Sequence, residues 1–145
     1  MIETTDFCSK RTSIRLKELG YKDRTFCYYT PNGDFIHNTN PFRGGYFEDS
    51  SFSYNSLPEG VIGGENVDAP LIYEAMKFLR GKGVEVDSLN IPSNNNRYAY
   101  MIWVGDVLYE DSDEDKVYYS TYEHAMDDAI YHACGYLKEK ETEKC

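Results

Sequence analysis

The most apolar run in the pattern of hydrophobic and polar positions is Arg97–Gly105, which holds the only tryptophan, Trp103. With a period of two, Ala99, Met101 and Trp103 share one face, and Tyr98, Tyr100, Ile102 and Val104 the other. Both faces are large and mostly apolar. That predicts a central strand, covered on both sides or on one side with an aromatic outer face. Helical periodicity flanks it. Over Pro70–Arg80, Leu71, Ala75, Phe78 and Leu79 line one stripe, with Ile72 and Met76 beside it. Asp68 is expected to cap this helix, Pro70 suits its first turn, and Gly81 and Gly83 end it. Over Tyr122–Lys138, a second stripe runs through Tyr122, Ala125, Met126, Ala129, Ile130, Ala133 and Leu137, and Ser120-Thr-Tyr-Glu123 reads as a capping box. A shorter helix is expected over Lys10–Leu19, capped by Ser9 or Thr12. It turns Leu16 and Leu19 inward beside Cys8, Thr12 and Ser13, and Gly20 stands at the left-handed C-terminal position.

The strand signals are shorter. Thr25–Thr30 is rich in β-formers and stops at the turn Pro31-Asn-Gly-Asp34. Val84–Ile91 reads as a strand with an expected bulge, because its apolar phase shifts between Val86 and Leu89. Val107–Tyr109 is interrupted by the acidic run Glu110–Asp115 and resumes at Lys116–Tyr119. Together these predict an α+β fold in which an antiparallel meander is covered by two or three helices, with residues 1–145 as one domain. The charged tail 139–145 is expected to fray.

Between Asn32 and Asp68 the periodicity is lost. Phe35, Phe42, Tyr46, Phe47, Phe52 and Tyr54 are scattered among Gly, Asn and Ser, with short strands expected at Phe35–His37, Gly45–Glu48 and Phe52–Tyr54. A long aromatic and glycine-rich insertion of this kind tends to be functional when it is ordered. Two readings stand side by side: an adaptable contact surface, or an arm that lies over the sheet and supplies core aromatics. On the first reading the candidate binding residues are Phe42, Arg43, Tyr46, Phe47, Phe52, Tyr54, Gly63 and Gly64.

Candidate chemistry is sparse. His124, Asp128 and His132 recur every fourth residue along one helix face. Strung over two turns, they suit a solvated face better than one metal ion. Asp111, Asp113 and Asp115 alternate as in a calcium loop, but Lys116 and Tyr122 stand where that loop needs glycine and a bidentate glutamate. Gly63-Gly64 approaches a helix start, where amides can hold an anion, yet it lacks the lysine and spacing of a phosphate loop. Cys27 or Cys134 would need a histidine partner to act as a nucleophile, and buried thiols are the expected reading. No catalytic residue, metal or cofactor is therefore expected.

Composition narrows the partner. The formal net charge is −10, with 25 acidic against 15 basic side chains. Six of the bases fall before Pro31, on or near the first helix. Such a balance opposes direct nucleic-acid binding through phosphates. Cys8, Cys27, Cys134 and Cys145 form no metal-type pair, and no stretch is long and apolar enough to span a bilayer. Met-Ile-Glu-Thr-Thr-Asp at the start lacks the pattern of a signal peptide. These features predict reduced thiols in a cytoplasmic setting.

Ala69-Pro-Leu-Ile-Tyr-Glu-Ala-Met-Lys-Phe-Leu-Arg80, Lys82–Val86, Tyr100-Met-Ile-Trp103, Thr121-Tyr-Glu-His-Ala125 and Leu16-Lys-Glu-Leu-Gly-Tyr21 carry a resemblance. They resemble a family of small proteins from phages and mobile elements of gut Bacteroidetes. Phe78 stands where that family has Trp and Leu71 where it has Thr, and Asn32–Asn66 is not covered. The resemblance implies an intracellular, phage-type setting and brings no catalytic residues. The expected function is then non-enzymatic binding of a host or defence protein, with a homodimer as a further expectation. The alternative is a protein that binds or sequesters a small nucleotide signal, stacking a base on aromatics and holding phosphate at Gly63-Gly64.

Overall fold

The computed structural model describes residues 4–37, 51–58, 60–92 and 97–143. The fold is α+β, with two three-stranded antiparallel sheets and three helices. The chain divides into two compact units, residues 7–71 and residues 72–145 together with 1–6.

In the first unit, helix α1 (Lys10–Glu18) is followed by strands β1 (Cys27–Tyr29), β2 (Phe35–His37) and β3 (Val67–Ala69). Ser9 caps α1, its hydroxyl accepting from the Thr12 amide at 3.5 Å, and Gly20 turns the chain out at φ +94°. Leu16, Leu19, Thr12 and Ser13 are buried, as the pattern predicts. β1 is central, antiparallel to both β2 and β3. The β1–β2 turn closes through the Gly33 amide on the Thr30 carbonyl, with Gly33 at φ +92°. Phe7, Cys27, Ala69 and Leu71 form a core cluster against which Phe26, Tyr29 and Phe35 pack. Two of this sheet's strands therefore come from 32–68, the stretch read as irregular. β2 matches the expected Phe35–His37. At Phe52 a single bridge to Thr25 replaces the expected strand, and a 3-10 turn, Tyr54–Ser56, follows. The expected Gly45–Glu48 strand lies outside the described residues.

The second unit holds α2 (Ile72–Gly81), the meander β4 (Val84–Asn90), β5 (Tyr98–Val104) and β6 (Val107–Asp111), and α3 (Tyr122–Glu143). β5 is central, as its apolar run predicts. Its residues Tyr100 and Ile102 and the β4 residues Val84 and Val86 are buried. They share one face of the sheet, because directly paired residues point to the same side. α3 packs on β4 and β5, and α2 packs on β4 and α3. Ala125, Met126, Ala129, Ile130, Ala133 and Cys134 carry the buried face of α3.

Three expectations are corrected. β4 has no bulge. Its register with β5 is continuous from Val84–Val104 to Asn90–Tyr98, and Leu89 simply occupies the opposite face from Val86, beside Ala99. The irregularity lies between β5 and β6, at Ile102/Trp103. Nor does α3 begin with the Ser120 box. Tyr119 exchanges both backbone hydrogen bonds with Tyr98, which holds the chain extended through that residue. The cap moves one position on, and the Thr121 hydroxyl accepts from the His124 amide at 3.2 Å. Finally, α3 continues through Glu143, where Lys140 and Glu143 pair at 3.3 Å, so most of the tail expected to fray is helical.

The cap position gives a direct test. Thr121→Ala should lower stability by about 1 kcal/mol, whereas Ser120→Ala should stay within about 0.5 kcal/mol of the parent. Urea denaturation of the two variants reads the difference; equal losses would contradict the Thr121 cap.

Candidate functional site

The residues that sequence reasoning singled out separate into those the structure brings together and those it does not. Phe42, Arg43, Tyr46 and Phe47 lie outside the described residues. Phe52, Tyr54, Gly63 and Gly64 are described, and they gather on one surface of the first unit.

At its centre is Asp68, a fully buried carboxylate on β3. It does not cap α2, as the local pattern predicts; β3 pairs Val67–Ala69 with β1, and α2 begins only at Ile72. Instead its two oxygens accept from the Tyr54 amide at 3.1 Å and the Asn55 amide at 2.9 Å. Asn55 answers: its Oδ1 accepts from the Asp68 amide at 3.1 Å, and its Nδ2 donates to the Tyr21 carbonyl at 2.9 Å. The carboxylate thus satisfies the free amides at the start of the 3-10 turn, as a cap does, but across thirteen residues of sequence. Burial pushes the Asp68 carboxyl up; the two amides, the Thr25 hydroxyl and the Lys17 charge oppose that rise.

The turn so held presents Tyr54. Its ring lies 4.4 Å from Tyr28 and 4.7 Å from Phe52, centroid to centroid. Burial and a hydrogen bond with the Tyr28 phenol push the Tyr54 phenol up, so it stays neutral and acts as a polar-edged apolar plate. Against it lies the loop 60–64. A Cβ on Gly63 would stand 3.2 Å from Tyr54 Cε1, and one on Gly64 would stand 2.7 Å from the Pro58 carbonyl oxygen. Both glycines are therefore required by close approach, and Gly63 also by φ +89°. Lys17 of α1 fixes the far side, its Nζ donating to the carbonyls of Gly64 and Asn66 at 3.0 Å each. The loop lifts Ile62 into solvent at 98% exposure, beside exposed Val61.

This geometry changes the role of Gly63-Gly64. The Gly64 amide donates to the Val61 carbonyl at 2.8 Å and the Asn66 amide to the Gly63 carbonyl at 3.1 Å. These amides close the loop on itself and are not turned to an anion, and β3 stands between the loop and α2.

The other singled-out residues are structural. His124, Asp128 and His132 are not merely solvated. Tyr119 donates to Asp128 Oδ2 at 2.6 Å, His124 meets the Tyr119 ring edge-on at 4.9 Å, and His132 stacks on Tyr100 at 5.9 Å. The Tyr100 phenol donates to Glu110, and burial, then that carboxylate, push it far up, leaving it no role as a base near neutrality. Among the described residues no group of three or more His, Cys, Asp or Glu side chains is placed to hold a metal ion. In the acidic run, Asp111 accepts from the Asp113 amide at 2.9 Å and Asp113 from the Tyr118 phenol at 2.5 Å, so two of the acids serve the turn itself.

One contact had no signal in the linear pattern. The β1–β2 register sets Cys27 opposite His37, with Sγ 3.7 Å from Nδ1. The thiol is fully buried in the apolar cluster, where a substrate has no approach, so the pair reads as core packing at a sheet edge. Cys8 and Cys134 are likewise buried and in no disulfide. No described helix is long and apolar enough to cross a membrane.

No family model matches the chain, and comparison with curated proteins and with solved structures returns no similar protein.

The Asp68 latch makes a pH prediction. Its folded-state value is raised, so its contribution to stability is fullest below the ordinary carboxylate range and is lost as pH rises through that folded value. Asp68→Asn removes this titration and sets an amide donor against backbone donors, at a cost of about 1–3 kcal/mol. The stability gap between parent and variant should widen from pH 7 to pH 4.5. Urea denaturation at both values measures it; a gap that narrows on acidification would contradict the raised carboxyl.

Proposed function

We propose that this chain is a non-enzymatic binding protein whose contact surface is the Tyr28, Phe52, Tyr54 and Ile62 face of the first unit. The observation that carries the proposal is Ile62. A large aliphatic side chain held 98% exposed, on a loop fastened by Lys17 and backed by an aromatic plate, has no use in the fold. Contiguous exposed apolar surface of this kind marks protein contact sites. Aromatic anchors supply area at small entropic cost, and here neighbouring rings already restrain them. A protein partner fits better than a small nucleotide, because Ile62 is almost fully exposed and the Gly64 amide is used within the loop.

The resemblance in the α2, β5 and α3 segments supplies the setting of the proposal: a phage or mobile-element accessory protein acting in the host cytoplasm on a host or defence protein. In that reading the partner offers an apolar pocket for Ile62, with its rim over Tyr54 and Phe52.

The test compares capture from host lysate by the parent chain and by Ile62→Asp, with Phe52→Ala as a second variant. Ile62→Asp alters an exposed side chain and should change stability by no more than about 0.5 kcal/mol. Loss of a stoichiometric partner from both variants, at unchanged melting temperature, is the expected result. A partner retained equally by both would remove this surface from the proposal.

A further inference from the structure

A second surface, in the other unit, has a different chemistry. β6 is an edge strand: among the described residues it pairs with β5 alone. Natural edges are usually blunted by lysine, proline or a covering element. β6 carries neither lysine nor proline. Its three leading side chains, Val107, Leu108 and Tyr109, are all exposed, Val107 at 67%. The irregularity opposite Ile102/Trp103 leaves Tyr109 without a partner on β5, and the Tyr109 ring packs on Tyr136 of α3 at 4.6 Å, so cover is confined to that one position. Charge is distributed just as unevenly. Residues 106–115 hold six acids, Asp106, Glu110, Asp111, Asp113, Glu114 and Asp115, and no basic residue.

We infer that β6 is a strand-addition site for an extended basic peptide segment. An added strand supplies the backbone partners that an edge lacks, and alternate side chains give it specificity. The register specifies which side chains fit. Val107 and Glu110 share the face of Val104 and Ile102; Leu108 and Asp111 share the face of Trp103 and Met101. Each face thus offers one apolar and one acidic position, in the same order along the strand. An antiparallel partner meets Asp111 and Glu110 first, then Tyr109, Leu108 and Val107. Its complementary sequence is two arginines or lysines followed by three apolar or β-branched residues. A second copy of this chain is a poor occupant, since each copy carries a net charge of −10.

Trp103, directly opposite Leu108 and the chain's only tryptophan, reports on this edge. The experiment titrates the whole protein with a capped peptide, Gly-Arg-Arg-Val-Thr-Val-Gly, following Trp103 emission. A saturable change is expected, weaker at high salt and weakened about tenfold or more by Val107→Lys. Circular dichroism and the melting temperature establish that this variant remains folded. Backbone N-methylation of alternate peptide residues should abolish binding, because it removes the pairing amides and keeps the charge. Equal binding by the N-methylated peptide would show charge attraction without strand addition and overturn the inference. So would an unchanged Trp103 signal, or a concentration-dependent dimer of the parent chain that Val107→Lys dissolves, which would assign the edge to a second copy.

Discussion

A carboxylate closed off from water must find donors within the protein, and in the first unit that requirement organises everything around it. Asp68 lies on a three-residue strand, too short to be stable alone. Its side chain reaches the amides of Tyr54 and Asn55, and Asn55 returns a hydrogen bond to the Asp68 backbone and sends another to Tyr21. One buried ion thereby ties β3, the 3-10 turn and the segment after α1. Burying it is unfavourable unless every donor is in place, so the arrangement is all-or-none. Conformational specificity for the Tyr54 turn follows from that, and with it the position of the aromatic plate.

The second unit is held by a different constraint. A three-stranded sheet needs one face covered, and the cover here is α3, whose small residues Ala125, Ala129 and Ala133 are fully buried. Small side chains allow a close helix-to-sheet approach, and Met126 and Ile130 fill the volume between them. Where the helix face turns polar, Tyr100 and Tyr119 rise from the sheet side to meet it, each phenol ending on a carboxylate. The histidines His124 and His132 complete this margin as ring contacts. A row that looks like chemistry in the sequence is the seam between a helix and its sheet.

What the sequence disclosed and what it hid divide along the same physical line. Periodicity is local, and it located α1, α2, α3, β1, β4 and β5, along with the Gly20 and Gly33 turns. Non-local pairing is not written in any short window. Asp68 satisfies the local rule for a helix cap, but strand pairing with β1 takes it elsewhere. Thr121 replaces Ser120 because Tyr119 is bound to Tyr98, more than twenty positions away in sequence terms. Cys27 meets His37 only through the register of a hairpin. Of the candidate binding residues, Phe52, Tyr54 and Gly63 converge as the aromatic and glycine content implied. The residues outside that set are Tyr28, on the short strand that precedes the Pro31–Asp34 turn, and Ile62, one apolar residue in a glycine-rich loop.

Exposed apolar side chains are a liability unless something holds them apart from one another, and the two units solve that problem in different ways. Ile62 is isolated by geometry: it stands on a tight loop closed by its own backbone hydrogen bonds and by Lys17, not on a strand. Val107, Leu108 and Tyr109 are guarded by charge, since acids follow them directly, and among the described residues their strand pairs with β5 alone. The first device is indifferent to salt, and the second weakens as salt rises. Association through the loop should therefore be governed by shape and apolar fit, and association at the edge by the sign of the partner's charge. Those are separable demands, and in the first unit a buried carboxylate positions the turn on which one of them rests.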